Sequence, residues 1–213
     1  MKKIIYSLFV FIAVCSLISC NSTAKKETTT KKEVIKKEVI AEKFAFVLQD
    51  ANNAINWTAY KTTKKAPVNG IFKKVTITAN GKGNTVKEAI NNAEFSIPVS
   101  SVFTKESSRD FKIKKFFFGI MDNTKLLSGK LVLENDTTGY ADITMNGVTK
   151  KLAFTYTING KVFSLTGNLK ITNWNAAKAL ASLNEACKDL HKGDDGVSKT
   201  WDDVAINITS TFK

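Results

Sequence analysis

Cys187 and His191 lie four residues apart, the spacing that places a thiol and a candidate base on one helical face. Asp194-Asp195-Gly196 resembles a fragment of a calcium loop, but the alternating acidic ligands and the terminal glutamate do not follow it. The sequence has one histidine, no Gly-x-Ser-x-Gly motif and no Cys-x-x-Cys pair. We therefore predict that the protein is not an enzyme and that it holds no metal.

Cys20 ends a segment with the features of a bacterial secretory signal. Two lysines precede an apolar run, residues 4–18, which is short for a membrane span. The run ends in Leu-Ile-Ser-Cys at 17–20, which resembles the lipobox of bacterial lipoproteins and implies cleavage before the cysteine. We predict a signal peptide at residues 1–19 and a membrane anchor formed by acyl chains on Cys20.

Residues 20–43 have the composition of a flexible tether, rich in threonine, lysine and glutamate and without aromatics. The net charge of the chain is +13, and basic residues beside a lipid anchor fit attraction to anionic headgroups or simple solubility. A secreted lipoprotein meets little nucleic acid, so no nucleic-acid partner is predicted. Asn21 is not the aspartate that retains many lipoproteins in inner membranes. This resemblance to sorting patterns favours the outer membrane, with the domain facing the periplasm or the exterior.

From Phe44 onward, apolar and polar residues alternate as they do in antiparallel strands with one wet face. In the clearest stretch, 151–158, every second residue is apolar. Asn146-Gly147 and Asn159-Gly160 predict hairpins, because this dipeptide favours the type I′ turn. The predicted strands are 44–49, 54–61, 70–79, 89–99, 126–135, 139–146, 148–158, 161–172 and 203–212. Eight or nine strands suit a closed barrel or a sandwich.

Two stretches interrupt the alternation and predict helices. Residues 107–119 open with serines that can cap a helix and end at a glycine. In residues 175–192, apolar side chains recur at steps of four and three, and Gly193 is placed to end the helix.

Four segments, in the same order along the chain, resemble the YceI-like family of bacterial secreted proteins. They are 55–60 (Ile-Asn-Trp-Thr-Ala-Tyr), 68–72 (Val-Asn-Gly-Ile-Phe), 95–101 together with Ser108-Arg109-Asp110, and 144–150 (Thr-Met-Asn-Gly-Val-Thr-Lys). The resemblance implies an all-β domain over residues 44–213, an antiparallel eight-stranded lipocalin-like β-barrel with one or two inserted helices. It also implies binding of a long apolar molecule, such as a polyisoprenoid or an isoprenoid quinone. The chain departs from the family at Phe111-Lys112-Ile113, where many members place a histidine.

Fourteen phenylalanines supply aromatic bulk that could line a cavity, as inward faces of small barrels do. The predicted cavity residues are Val75, Ile77, Phe95, Ile97, Phe116, Phe118, Leu131, Leu133, Ile143, Met145, Phe154 and Tyr156. Arg109 or a lysine at the rim is predicted to contact an anionic head group, and no cofactor is predicted beyond a bound lipid or isoprenoid.

The function predicted from these features is that of an envelope-anchored lipoprotein that carries or scavenges the apolar ligand. One alternative is a structural or interaction module of the envelope with a solid barrel core. Another is a redox or thiol-dependent factor that uses Cys187 or His191.

Overall fold

The structure, a computed structural model, describes residues 43–213, which form twelve strands and three α-helices. The predicted signal peptide, Cys20 and the tether up to residue 42 lie outside the described residues. The strands are β1 (Phe46–Val47), β2 (Asn52–Lys61), β3 (Ala66–Phe72), β4 (Thr76–Ala79), β5 (Lys82–Gly83), β6 (Glu94–Pro98), β7 (Val102–Phe103), β8 (Leu126–Leu133), β9 (Thr138–Met145), β10 (Val148–Asn159), β11 (Val162–Lys170) and β12 (Thr200–Thr211). The helices are α1 (Val86–Ile90), α2 (Ser107–Lys112) and α3 (Ala177–Ala186).

Ten of these strands form one antiparallel sheet, in the order β4-β6-β8-β9-β10-β11-β12-β2-β3-β7. Phe72 ends β3 and Thr76 begins β4, although these strands lie near opposite edges of the sheet. Four Cα–Cα steps span at most about 14 Å. In a flat sheet the first and ninth strands would be about 38 Å apart, because neighbouring strands are spaced by about 4.8 Å. The short connection therefore requires the sheet to curl into a barrel.

This curled sheet confirms the predicted all-β, lipocalin-like fold with inserted helices. It contains ten strands instead of eight. The predicted strand 70–79 divides at residues 73–75, where the chain crosses from one edge of the sheet to the other. The two-residue β7 pairs with the end of β3, and β1 pairs with β5 outside the main sheet.

The alternation in β10 places its apolar face inside the barrel. Leu152 and Phe154 are buried, whereas Lys151 and Thr155 are exposed. Phe154 lies opposite glycines on both neighbouring strands, Gly139 in β9 and Gly167 in β11. A Cβ atom at Gly139 would lie 2.9 Å from the Phe154 ring, so the missing side chain makes room for the aromatic ring.

The hairpin turns differ from each other. Asn146 and Gly147 have φ values of +52° and +68°, as the predicted type I′ turn requires. In the next hairpin Asn159 is the last residue of β10, and the loop consists of Gly160 and Lys161. Only Gly160 has positive φ there (+56°), which is the pattern of a type II′ turn.

Two helical segments cover one end of the barrel. The predicted helix at 107–119 is confirmed: α2 continues through a π turn, Ile113–Phe117, and a 3-10 turn, Phe118–Ile120. α3 forms the second helix but ends at Ala186, so the predicted end at Gly193 is wrong. The chain turns back there, and Lys192 forms a bridge with Ser198.

The helix α1 was not predicted. Its last two residues fall in the predicted strand 89–99, which begins at Glu94 in the structure. Thr85 and Glu88 form a capping box around its first turn, with the Glu88 amide donating to Thr85 Oγ1 at 3.1 Å. Ala89 and Ile90 are fully buried in the core at the other end of the barrel.

Candidate functional site

A cavity of about 220 Å³ lies inside the barrel, between the sheet and the helical segments that cover one end. Among the described residues, its wall consists of apolar side chains, two tryptophans and three polar residues. The polar residues are Asn53, Thr200 and Ser210. These polar groups bond within the protein. Ser210 Oγ donates to Asn53 Oδ1 at 2.6 Å, and Thr200 Oγ1 donates to Asn184 Oδ1 at 2.8 Å. The cavity can therefore hold an apolar molecule, but those three groups are already occupied by protein partners.

Nine of the twelve residues predicted for the cavity lie in its wall. They are Val75, Ile77, Phe95, Ile97, Phe118, Leu131, Ile143, Met145 and Phe154. They come from β4, β6, β8, β9 and β10, from the loop that precedes β4, and from the helical segment that follows α2. Strands far apart in sequence therefore contribute to one surface.

The other three predicted residues lie outside the wall. Phe116 packs against the exposed Phe111, with ring centroids 6.5 Å apart, and its neighbours Phe117 and Phe118 face the cavity instead. Phe116 and Phe118 are two residues apart, which places their side chains about 200° apart around a helix, so both cannot face one cavity.

Leu133 and Tyr156 pack into the core at the opposite end, near α1. Tyr156 is buried beside Phe163, with ring centroids 5.4 Å apart, and its hydroxyl donates to the Asn135 carbonyl oxygen. A phenol fixed in this way is part of the core and does not line the cavity.

Several wall residues were not predicted. The inward positions of β2, β11 and β12 contribute Ile55, Trp57, Leu165, Leu169, Ile206 and Ile208. Their alternation is visible in the sequence, and extending the same argument to these strands would have found them. Leu180 and Leu183 of α3 also face the cavity, and they carry the helical spacing noted above.

A second hollow of about 310 Å³ adjoins the cavity, and we call it the vestibule. It lies between α2, the residues after α3 and the end of β2. Its wall and the cavity wall have residues in common: Trp57, Ala59, Ile113, Leu183 and Thr200. The two hollows therefore lie side by side and share part of their walls.

Charged side chains distinguish the vestibule from the cavity. Lys61, Arg109 and Lys112 line it, together with the carboxylate of Glu106. In the Arg-Asp motif only the arginine faces this space. Asp110 is buried, and its Oδ1 accepts hydrogen bonds from the Thr104 amide at 2.8 Å and the Thr104 hydroxyl at 2.7 Å.

His191 also lines the vestibule and is held by Thr200, with 2.6 Å between Nδ1 and Oγ1. The Thr200 hydroxyl proton is directed to Asn184, so His191 donates from Nδ1–H. Burial lowers the pKa of His191 to about 4, and the charges of Lys61, Arg109 and Lys112 add to this effect. His191 is therefore neutral at pH 7.

Cys187 does not have the environment of an activated nucleophile. Its side chain is buried, and burial raises the pKa of its thiol, with nearby cations opposing that shift. The thiol is protonated at neutral pH.

The residues 43–213 contain no cluster of three or more acidic, histidine or cysteine side chains arranged to hold a metal ion. No helix among these residues is long and apolar enough to cross a bilayer.

A model of the YceI-like domain matches residues 46–212. The chain belongs to the YceI-like family. A search of curated proteins finds no match.

Among solved structures, a polyisoprenoid-binding domain from Saccharophagus degradans is similar to this YceI-like chain. It has 11% identity and a TM-score of 0.56, covering 80% of this chain and 99% of that domain. BcnA of Burkholderia cenocepacia has 15% identity and a TM-score of 0.47, with coverage of 74% and 94%. The YceI protein of Campylobacter jejuni has 18% identity and a TM-score of 0.47, with coverage of 68% and 85%.

Proposed function

We propose that this YceI-like protein is an envelope lipoprotein that binds a long apolar ligand inside its barrel and acts as a carrier or scavenger. The observation that carries the proposal is the apolar cavity. The polar side chains in its wall, Asn53, Ser210 and Thr200, already form hydrogen bonds within the protein. Transfer of a hydrocarbon chain from water into this apolar cavity is therefore favourable. A cavity of this kind argues against the alternative of a module with a solid core.

The size of the cavity restricts which ligands can fit inside it. About 220 Å³ lies just below the roughly 300–1,000 Å³ typical of small-molecule pockets. A slender prenyl or acyl chain fits such a space better than a bulky fused-ring compound. The similar Saccharophagus degradans domain is described as polyisoprenoid-binding, which supports a prenyl chain or an isoprenoid quinone as the ligand.

Native mass spectrometry of the full chain, with organic extraction of the same sample, tests ligand binding. We expect a discrete added mass that matches an extractable long-chain lipid, or that appears after incubation with an isoprenoid quinone. An unliganded mass in both preparations would contradict the proposal and favour an interaction module.

The anchor is proposed from the lipobox and from Asn21, which favour acylation of Cys20 and delivery to the outer membrane. Metabolic labelling with a radioactive fatty acid should label the wild type and leave Cys20→Ser unlabelled. Membrane fractionation should then recover the wild-type protein with the outer membrane. Equal labelling of the two chains would contradict acylation at Cys20.

A further inference from the structure

Large apolar side chains that are exposed to solvent are concentrated at the end of the barrel that α2 and α3 cover. Five of the six within residues 43–213 lie in the covering segments or in the chain that follows them: Phe111, Ile120, Leu126, Leu190 and Val197. The sixth, Ile158, lies toward the other end, where its strand partner Phe163 packs in the core that contains α1. Single exposed apolar residues are ordinary, but a group of them at one end of a molecule marks an interaction surface.

The segment that continues α2 has apolar side chains on two faces. Phe117 and Phe118 line the cavity. Phe111 is 57% exposed and packs edge-on against the half-buried Phe116, and Ile120 at the end of the segment is 48% exposed. Packing against the barrel accounts for the inner face, whereas the outer face is left in contact with solvent.

Lysines surround the outer aromatic pair. Lys114 and Lys115 are exposed, and Lys115 Nζ lies 5.4 Å from the ring centroid of Phe111 and 5.3 Å from that of Phe116. Residues 105–125 contain six basic and three acidic residues. None of these six basic side chains belongs to an ion pair formed within residues 43–213. The outer face is therefore both apolar and positively charged.

This combination fits the surface of an anionic bilayer. Aromatic rings enter the boundary between head groups and acyl chains, while lysine stems lie along the apolar surface and their ammonium groups reach lipid phosphates. Each basic residue close to such a surface contributes about 1 kcal/mol. We propose that Phe111, Phe116 and Ile120, with Lys114 and Lys115, form a docking face that binds an anionic membrane surface.

The length of the chain before the barrel permits this orientation. The barrel domain begins at the end opposite the docking face, where Phe46 packs on Phe212 with ring centroids 5.5 Å apart. Residues 20–43 can span at most about 80 Å when extended. The twelve residues of β10 span about 40 Å, so an anchor on Cys20 does not prevent the docking face from reaching the same bilayer.

Docking also brings the vestibule to the bilayer. Lys112, which follows Phe111 in α2, lines the vestibule together with the exposed Leu190. A ligand drawn from the membrane would then reach the barrel without crossing bulk water. This consequence for the ligand rests on the proposed function, whereas the docking face itself does not.

Tryptophan quenching by brominated lipids tests the docking face. Full-length Phe111→Trp and Ile158→Trp each add one indole to the three of the wild type, whose emission is subtracted. Both variants keep residues 1–42, so any attachment through that part of the chain is the same in both. On vesicles of brominated phosphatidylcholine with about one third phosphatidylglycerol, we expect loss of at least about half of the emission added at position 111 and less than about a tenth of that added at position 158.

The contribution of charge is tested in the Phe111→Trp protein. Adding Lys114→Gln and Lys115→Gln should reduce the quenching at least about twofold, and so should omission of phosphatidylglycerol. The matched control adds Lys161→Gln and Lys213→Gln, two exposed lysines at the opposite end, where the Phe212 amide donates to the Lys161 carbonyl oxygen, and should leave the quenching unchanged. Equal quenching with and without these charges would overturn the anionic preference.

The position of the reporter decides between a membrane and another partner. Equal quenching at positions 111 and 158, or none at 111, would overturn the docking face and leave the outer aromatic pair to a protein partner. Ile120→Trp is a second reporter on the same face, and we expect it to be quenched with Phe111→Trp. All measurements are made without added ligand, so failure of docking would leave apolar binding inside the barrel intact. Quenching at position 111 in a protein that binds no lipid in native mass spectrometry would overturn only the carrier function.

Discussion

The indole ring of Trp57 lies directly against the backbone of Gly70, its partner across β2 and β3. A Cβ atom at Gly70 would lie 2.1 Å from Trp57 Cζ2, far inside van der Waals contact. The glycine therefore fixes the position of a side chain that forms part of both the cavity and the vestibule.

Gly70→Ala should force the Trp57 ring to move and destabilise the protein by about 1–3 kcal/mol, the usual range for overpacking. The atoms that would clash belong to the six-membered ring of the indole. Trp57→Phe should therefore relieve most of the cost, giving a coupling of more than about 0.5 kcal/mol in a double-mutant cycle. Urea unfolding of the four proteins measures it. Additive effects would contradict the close packing of Gly70 and Trp57.

Filling the cavity should weaken ligand binding. Ala141 lies in the cavity wall on β9, whereas Ala153 is exposed on the outer face of β10. We expect Ala141→Leu to reduce farnesol affinity about tenfold or more, because the added side chain occupies ligand space. Ala153→Leu adds the same groups outside the barrel and should leave the affinity unchanged. Calorimetric titration of both variants makes the comparison, and equal affinities would place the ligand elsewhere.

His191 should make stability depend on pH in a defined window. Its pKa is about 4 in the folded protein, mainly because of burial, against about 6.5 when unfolded. The unfolded chain therefore binds more protons between these values, so the stability gained from a neutral His191 is complete above about pH 6.5 and is lost as the pH falls toward 4.

Melting temperatures of the wild type and of His191→Gln between pH 7.5 and 4.5 test this linkage. The wild type should lose more stability than the variant over that range. Carboxylates with lowered pKa, such as Asp136 and Asp195, act in both proteins and cancel in the difference. Parallel curves would show that His191 does not titrate as described.

Asn146 joins the β9–β10 turn to the segments that cover the barrel. Its Nδ2 donates to the Trp174 carbonyl oxygen at 2.9 Å, and its Oδ1 accepts from the Asp122 amide at 2.8 Å. Asn146→Ala removes both bonds and should cost about 1–3 kcal/mol. Asn159→Ala, at an exposed position of the next hairpin, should cost less than about 0.5 kcal/mol. Thermal unfolding compares them, and equal losses would contradict this role.

The barrel could be predicted from the sequence because each strand has one face that is exposed to solvent and one that is buried. In β10 the exposed Lys151 and Thr155 alternate with buried residues, and this pattern fixes which side chains face inward. α1 was missed because a five-residue helix has too few apolar positions for periodicity, although Thr85 and Glu88 carry its capping signature. Phe116 and Phe118 were both expected to line the cavity, although side chains two residues apart lie on opposite faces of a helix.

The vestibule could not be predicted as a unit. Lys61 lies at the end of β2, Arg109 in α2 and His191 after α3, so the distances between them in sequence carry no pattern. Only the curl of the sheet and the position of the covering segments bring them together. A head-group contact by Arg109 or a rim lysine was predicted, but nothing in the sequence indicates which lysines lie beside Arg109.

Photo-cross-linking tests directly whether the ligand lies inside the barrel. The full chain is incubated with a farnesol analogue that carries a diazirine on its tail, irradiated, and examined by peptide mass spectrometry. We expect cross-links to inward residues such as Ile143, Phe154 and Leu165. Cross-links confined to Thr155 and Thr166, whose hydroxyls pair on the outer face of the same strands, would show that the ligand does not occupy the barrel.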